Sequence, residues 1–192
     1  MKRYKSQFME SSITDLWSSI KSIAFLLDHH NIKFTIIGGA ARNQYGYSKM
    51  TEDIDILIAK EDKEKVLNLP IGSIRDLSNK RGKVFSLHNP KTKVEVIYSG
   101  EISGDGINGL KYDDPDKIST TVKGVPFMTL KKLIEYKLSS GIYGKRLKDF
   151  ADIIGLIKEN NLKQDYANNF RKDLKKKYIE LWNNANEQID EI

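Results

Sequence analysis

The chain has 192 residues, 39% hydrophobic and 30% charged, which suits a folded protein with a real core and excludes a low-complexity or disordered one. It contains no cysteine, which excludes disulfides and thiolate metal sites and fits a reducing, cytoplasmic setting. The net charge of +6 admits an anionic partner; no apolar run reaches membrane-spanning length, and polar residues follow the basic Met1-Lys2-Arg3 where a signal peptide would be apolar.

From Ser11 to His30, Ile13, Leu16, Trp17, Ile20, Ile23, Ala24 and Leu27 recur at spacings of three and four, which predicts an amphipathic helix. His29 and His30 at its end diverge by about 100° and read as a solvated terminus. Lys33 to Ile37 reads as a strand and Gly39 to Tyr45 as a short helix. Asp53 to Ala59 follows as a second strand whose Ile56-Leu57-Ile58-Ala59 is apolar on both faces, the mark of a central position. Glu61 to Leu69 is expected to be helical up to Pro70. Strands at Lys83 to Leu87 and Val94 to Tyr98 are expected to form a hairpin across residues 88–92.

Gly104-Asp105-Gly106-Ile107-Asn108-Gly109 matches G-x-G-x-x-G, yet the acidic, proline-broken segment after it is no helix start, so a mobile loop is expected and not a dinucleotide site. Ser119 to Phe127, with Gly124 and Pro126, suits an edge strand or turn. Three helices are expected beyond: Thr129 to Gly141; Lys145 to Leu162, with Leu147, Phe150, Ala151, Ile154 and Ile157 inward; and Asp165 to Ile189, with an outer face rich in lysine. Strands early and helices late predict an α+β fold, with a mixed-sheet core over residues 1–127 and a helical region over 128–192 packed on it.

The chemistry concentrates between Phe34 and Ala59. Side chains two apart on a strand share a face, so Asp53 and Asp55 point the same way, about 7 Å apart along the backbone. Unit charges at ~4 Å repel by roughly 4 kcal/mol at an effective dielectric of about 20, and a divalent cation reverses that sign. The Gly38-Gly39 turn upstream offers bare backbone N–H groups to a phosphate.

Ile37-Gly38-Gly39, a gap of about a dozen residues and Asp53-Ile54-Asp55 together resemble the signature of the DNA polymerase β-type nucleotidyltransferase superfamily. Many members carry Ser after the first glycine, where this chain has Gly39. A third carboxylate on a later strand completes the family's site, and Glu95 in Lys93-Val94-Glu95-Val96-Ile97-Tyr98 holds that place, one methylene longer than the usual Asp. The resemblance implies two Mg²⁺ ions held by Asp53, Asp55 and Glu95 with the triphosphate of an NTP, Glu95 also taking a proton from the acceptor. It implies phosphate contacts at Gly38 and Gly39, and a basic residue and Thr on the approach to the strand, here Lys49 and Thr51. Without the resemblance, Glu95 reads as an acid on an exposed edge.

Leu133-Ile134-Glu135-Tyr136-Lys137-Leu138 and Lys145 to Ile153 are similar to later motifs of the abortive-infection and toxin-type (AbiEii-like) branch. That branch implies a nucleotide-binding role for Lys137 and for Lys148, Asp149 and Asp152. Periodicity alone fits a Lys148–Asp152 pair along one helix. The function implied is NMP transfer from an NTP to an acceptor hydroxyl, with a tRNA 3′ end or other RNA as one acceptor and an antitoxin as a further partner. A non-catalytic nucleotide- or RNA-binding protein on the same scaffold is the alternative.

Overall fold

The computed structural model describes residues 2–51, 53–69, 74–75, 83–86 and 93–187. The expected hairpin loop over 88–92, the stop at Pro70 and the end of the last helix beyond residue 187 lie outside the described residues, as does the side chain of Ile13.

The chain divides into two compact units, the first made of residues 1–40, 49–99 and 113–128, the second of 41–48, 100–112 and 129–192. In the first unit, helix α1 (Lys2–His29) leads into β1 (Phe34–Ile37), and helix α2 (Gly38–Gln44) begins at once, its residues from Ala41 onward counted with the second unit. Strand β2 (Asp53–Ile58) follows, then a 3₁₀ turn (Lys60–Asp62) that opens α3 (Lys63–Leu67). Strands β3 (Ile74–Arg75), β4 (Lys83–Ser86) and β5 (Lys93–Tyr98) come next, then the one-turn helix α4 (Pro115–Ile118), β6 (Ser119–Val122) and β7 (Val125–Met128).

Among the described residues these strands make one seven-stranded sheet, ordered β3-β4-β5-β2-β1-β7-β6. It is mixed: β2 runs parallel to β5 and β1 parallel to β7, while the β1–β2, β3–β4, β4–β5 and β6–β7 pairs are antiparallel. The fold is α+β, as expected. Strand β2 lies inside the sheet with Ile56, Leu57, Ile58 and Ala59 buried, so the doubly apolar run does mark a covered strand. The expected β4–β5 pairing is present. The segment from Ser119, expected as an edge strand or turn, is a hairpin whose second strand reaches β1 through Ile36 and Phe127.

One face of the sheet is the core. Ile36, Ile54, Ile56, Ile58, Val94, Val96 and Phe127 are all nearly inaccessible, and each such side chain contributes about 1.5–3 kcal/mol by leaving water. Helix α1 lies on this face: Ile20, Ile23, Ala24 and Leu27 are buried, and the Trp17 ring stacks on Phe127 at 5.9 Å between centroids. The helix begins nine residues before the expected start. His29 and His30 are exposed at its end.

In the second unit, α5 (Leu130–Tyr143), α6 (Leu147–Glu159), a 3₁₀ turn (Gln164–Asn169) and α7 (Lys172–Glu187) follow the loop of residues 100–112. That loop is anchored: Gly100 N–H donates to Tyr112 O and Ser103 N–H to Leu110 O, both at 2.8 Å, and Ile102 bridges Lys111. No helix opens on its last glycine.

Three boundaries differ from expectation. Gly141 does not end α5; it is buried inside the helix, where a Cβ would lie 2.8 Å from Cδ1 of Phe150, so the residue permits close packing of α5 on α6. The last helix is broken by an extended Phe170, which follows the 3₁₀ turn. On α6 the expected inward face was rotated: Leu147 is 76% exposed, while Asp149, Asp152, Ile153, Leu156 and Ile157 form the buried stripe at helical spacing. Two carboxylates on that stripe disguise it in a hydrophobicity reading.

Candidate functional site

The acidic pair and the third carboxylate meet in the first unit. In the parallel register of β2 on β5, Asp53 faces Lys93 and Asp55 faces Glu95. Residues paired in register share a face, so Asp53, Asp55, Lys93 and Glu95 all project from the same side of the sheet. Their neighbours Ile54, Val94 and Val96 project from the other side, into the core. The local pattern explains this: polar and apolar residues alternate along Asp53-Ile54-Asp55-Ile56 and Lys93-Val94-Glu95-Val96 with period two.

A lysine joins the acids. The Lys93 ammonium bonds to Oε1 of Glu95 and lies 3.6 Å from Oδ2 of Asp53. Glu95, then Asp53, hold Lys93 protonated above the usual lysine range. The side chains of Asp53, Glu95 and Lys93 are each a little over 40% exposed, so the group is open to a soluble ligand.

The glycine turn is built around the same acids. Gly38 sits at φ +62, a conformation that costs any other residue strain, and a Cβ there would lie 2.7 Å from Cγ of Asp55. At Gly39 a Cβ would lie 2.8 Å from Oγ1 of Thr51 and 3.1 Å from its Cβ. The space beside residue 39 is therefore taken by the Thr51 side chain, whose hydroxyl donates to the Asp53 carbonyl at 3.2 Å. A serine at 39 would contend with that threonine. Lys49, two residues earlier, is exposed.

As a ligand set for a hard dication, three carboxylates with half-open oxygen donors are chemically suitable. Among the described residues no three His, Asp or Glu side chains converge on one point as a finished metal cage would. The cation that Asp53 and Glu95 do gather is the lysine ammonium between them, and this is the observation by which the pair fits a positive ion.

The residues expected from the later motifs lie in the second unit, and three of them form a buried ionic cluster. Lys137 on α5 donates to Oδ1 of Asp149 at 2.9 Å and to Oδ2 of Asp152 at 2.8 Å. Arg42, near the end of α2, adds its Nη1 to both oxygens of Asp152 at 3.3 Å, and Arg146 Nε approaches Oδ2 of Asp149 at 3.4 Å. Lys137 is 8% exposed, and Arg42, Asp149 and Asp152 are as deeply buried. Two buried cations answer two buried anions, which is the condition for holding such charges away from water. Lys148 is exposed on α6, while Asp152 turns its carboxylate to Lys137 and Arg42. Arg42 escaped the sequence reading; its signal is a single basic residue ending an otherwise small, neutral helix start, Gly38-Gly39-Ala40-Ala41.

No family model matches the sequence, and no curated relative matches it. Solved structures do resemble it. The antibiotic-resistance factor ANT(2'')-Ia in solution aligns over 92% of this chain and 96% of its own, at 11% identity and a TM-score of 0.54. The same protein in complex with adenylyl-2''-tobramycin aligns over 84% and 97%, at 12% identity and a TM-score of 0.50. An antigenic nucleotidyltransferase-like protein from Paracoccidioides brasiliensis aligns over 93% and 91%, at 17% identity and a TM-score of 0.52. At these identities the likeness is one of fold: the chain has the fold of proteins that include nucleotidyltransferase-like members.

Proposed function

We propose that the protein is a magnesium-dependent nucleotidyltransferase that moves an NMP from an NTP to an acceptor hydroxyl and releases pyrophosphate. The observation that carries this reading is the β2–β5 register, with Asp55 opposite Glu95 and Asp53 on the same face. The shared fold with ANT(2'')-Ia, a protein seen in complex with adenylyl-2''-tobramycin, supports it.

In this reading Asp53, Asp55 and Glu95 hold two Mg²⁺ ions, which when bound supply the positive charge that a triphosphate needs to approach three carboxylates. Gly38 and Gly39, having no Cβ, let the backbone N–H groups at the start of α2 come close to the phosphate oxygens. The Thr51 hydroxyl lies beside that turn and serves as a further donor, with exposed Lys49 adding charge. Glu95 accepts the proton of the acceptor hydroxyl as its oxygen bonds to the α-phosphorus; the bond to the bridging oxygen breaks and that electron pair leaves with pyrophosphate. To Lys137, Asp149 and Asp152 we assign the task of holding the second unit together, since each is buried and answered by the others. Lys148 is the member of that motif open to a phosphate.

The acceptor is a small-molecule hydroxyl or an RNA 3′ end, and the toxin-like setting with an antitoxin partner goes with the second. A non-catalytic nucleotide- or RNA-binding protein is the competing reading, favoured by one observation: a lysine bridges two of the three acids.

Incubation with Mg²⁺, each α-labelled NTP and either bulk tRNA or an aminoglycoside mixture separates them. Label transfer by the wild type, abolished by chelation and absent from Asp53→Ala/Asp55→Ala, supports the enzyme. RNA binding that is equal in both proteins and indifferent to NTP supports the binding module.

A further inference from the structure

Lys93 has no part in the mechanism above, yet its ammonium occupies the place between two of the acids. It stands two residues before Glu95 on β5, on the same face, and directly across from Asp53 in register. Its Nζ reaches Oε1 of Glu95 and lies 3.6 Å from Oδ2 of Asp53. The contact follows from where the residue sits on the strand.

We infer that Lys93 is a built-in competitor for the cation site: its ammonium pairs with Asp53 and Glu95, offsetting part of their charge, and a divalent ion binds there by displacing it. This rests on the metal-binding reading of the carboxylate face. Three features support the exchange. A monovalent ammonium leaves most of the charge of three carboxylates uncancelled, so a dication gains more from the same oxygens. The lysine side chain is 41% exposed on a flexible four-carbon stem, so it can withdraw into water without unpacking the core. Ion pairs this exposed are weak, so the exchange is a modest toll on metal affinity and no lock. The consequence is a site whose charge is partly offset when empty and that answers only to a metal concentration high enough to evict its own side chain.

Mn²⁺ binding to the full chain, followed by electron paramagnetic resonance of the free ion, tests this without reference to turnover. Lys93→Met is expected to bind Mn²⁺ about two- to fivefold more tightly than the wild type, the worth of one exposed ion pair. Lys93→Arg, which keeps the charge, is expected to stay within about twofold of the wild type. Lys33→Met removes the same charge from the far end of β1, where Lys33 pairs with Asp116 at 3.3 Å, and is expected to change nothing. Circular dichroism spectra confirm that each variant is folded. Equal or weaker Mn²⁺ binding by Lys93→Met, or equal tightening by Lys33→Met, overturns the inference while leaving a metal site in place. Absence of Mn²⁺ binding from both the wild type and Lys93→Met overturns the metal reading and the inference with it.

Discussion

Gly38 and Asp55 interlock: the left-handed glycine leaves a gap where a Cβ would stand, and the Asp55 carboxylate fills it, 2.7 Å from that position at its Cγ. The turn that would face phosphate and the acid that would face metal therefore share one space. Neither residue can change size without moving the other.

Gly38→Ala is accordingly expected to lower stability by about 1–3 kcal/mol, from the strain of a left-handed non-glycine residue, and to displace Asp55 as well. Urea denaturation reads the first effect. Mn²⁺ titration of the folded variant reads the second, with binding weakened relative to the wild type.

The pairing of Gly39 with Thr51 makes a sharper case. A Cβ at residue 39 would press on the Thr51 hydroxyl at 2.8 Å, so Gly39→Ser is expected to cost about 1–3 kcal/mol through overpacking. Gly39→Ser/Thr51→Ala, which moves the hydroxyl across the turn, is expected to regain most of that loss. A double-mutant cycle on unfolding free energy shows the coupling.

The buried cluster of the second unit bears on stability. Lys137→Met leaves Asp149 and Asp152 with one fewer cation in a site closed to water, and is expected to cost about 3–5 kcal/mol. Asp152→Ala, which takes one carboxylate from both Lys137 and Arg42, should cost as much. Thermal and urea unfolding measure both. An unfolding curve that matches the wild type would remove the structural role and return Lys137 to the phosphate-binding role implied by the sequence resemblance.

At the start of α7, the Arg171 guanidinium, and then the Tyr143 hydroxyl, hold the Asp173 carboxyl down to about 2. A folded-state pKa below the unfolded value of about 3.9 stabilises the fold fully above that value, and the contribution disappears as pH falls through about 2. Both partners are more than a third exposed, so solvent limits the effect to about 1 kcal/mol or less. The difference in melting temperature between wild type and Asp173→Asn should thus be present at pH 6 and shrink steadily below pH ~4.

Much of the first unit was legible because its signals are local. Alternation along Asp53-Ile54-Asp55-Ile56 and Lys93-Val94-Glu95-Val96 gives the two faces, and the apolar run after Asp55 gives the central position of β2. The partner of each strand is another matter: that β1 lies between β2 and β7 is settled by pairing across ninety residues, which no short window records. Lys93 was visible but reads as an ordinary strand lysine until register sets it opposite Asp53.

The second unit was harder because its core is partly ionic. A reading that seeks hydrophobic stripes places Leu147 inside and Asp149 outside, whereas the structure does the reverse. The reason lies in Lys137, which pairs with both carboxylates, and in Arg42, more than a hundred residues from Asp152, which adds a second cation there. Gly141 misled in the same way: a glycine that permits helix packing looks, in isolation, like a glycine that ends a helix.

The central claim is that Asp53, Asp55 and Glu95 together take a divalent ion with a nucleotide. Crystals grown with Mn²⁺ and a non-hydrolysable NTP analogue test it through the anomalous signal of manganese. A manganese peak is expected within coordination distance of all three carboxylates, with the Lys93 ammonium withdrawn from between Asp53 and Glu95. A nucleotide bound with no manganese at these acids, or manganese bound elsewhere, would contradict it.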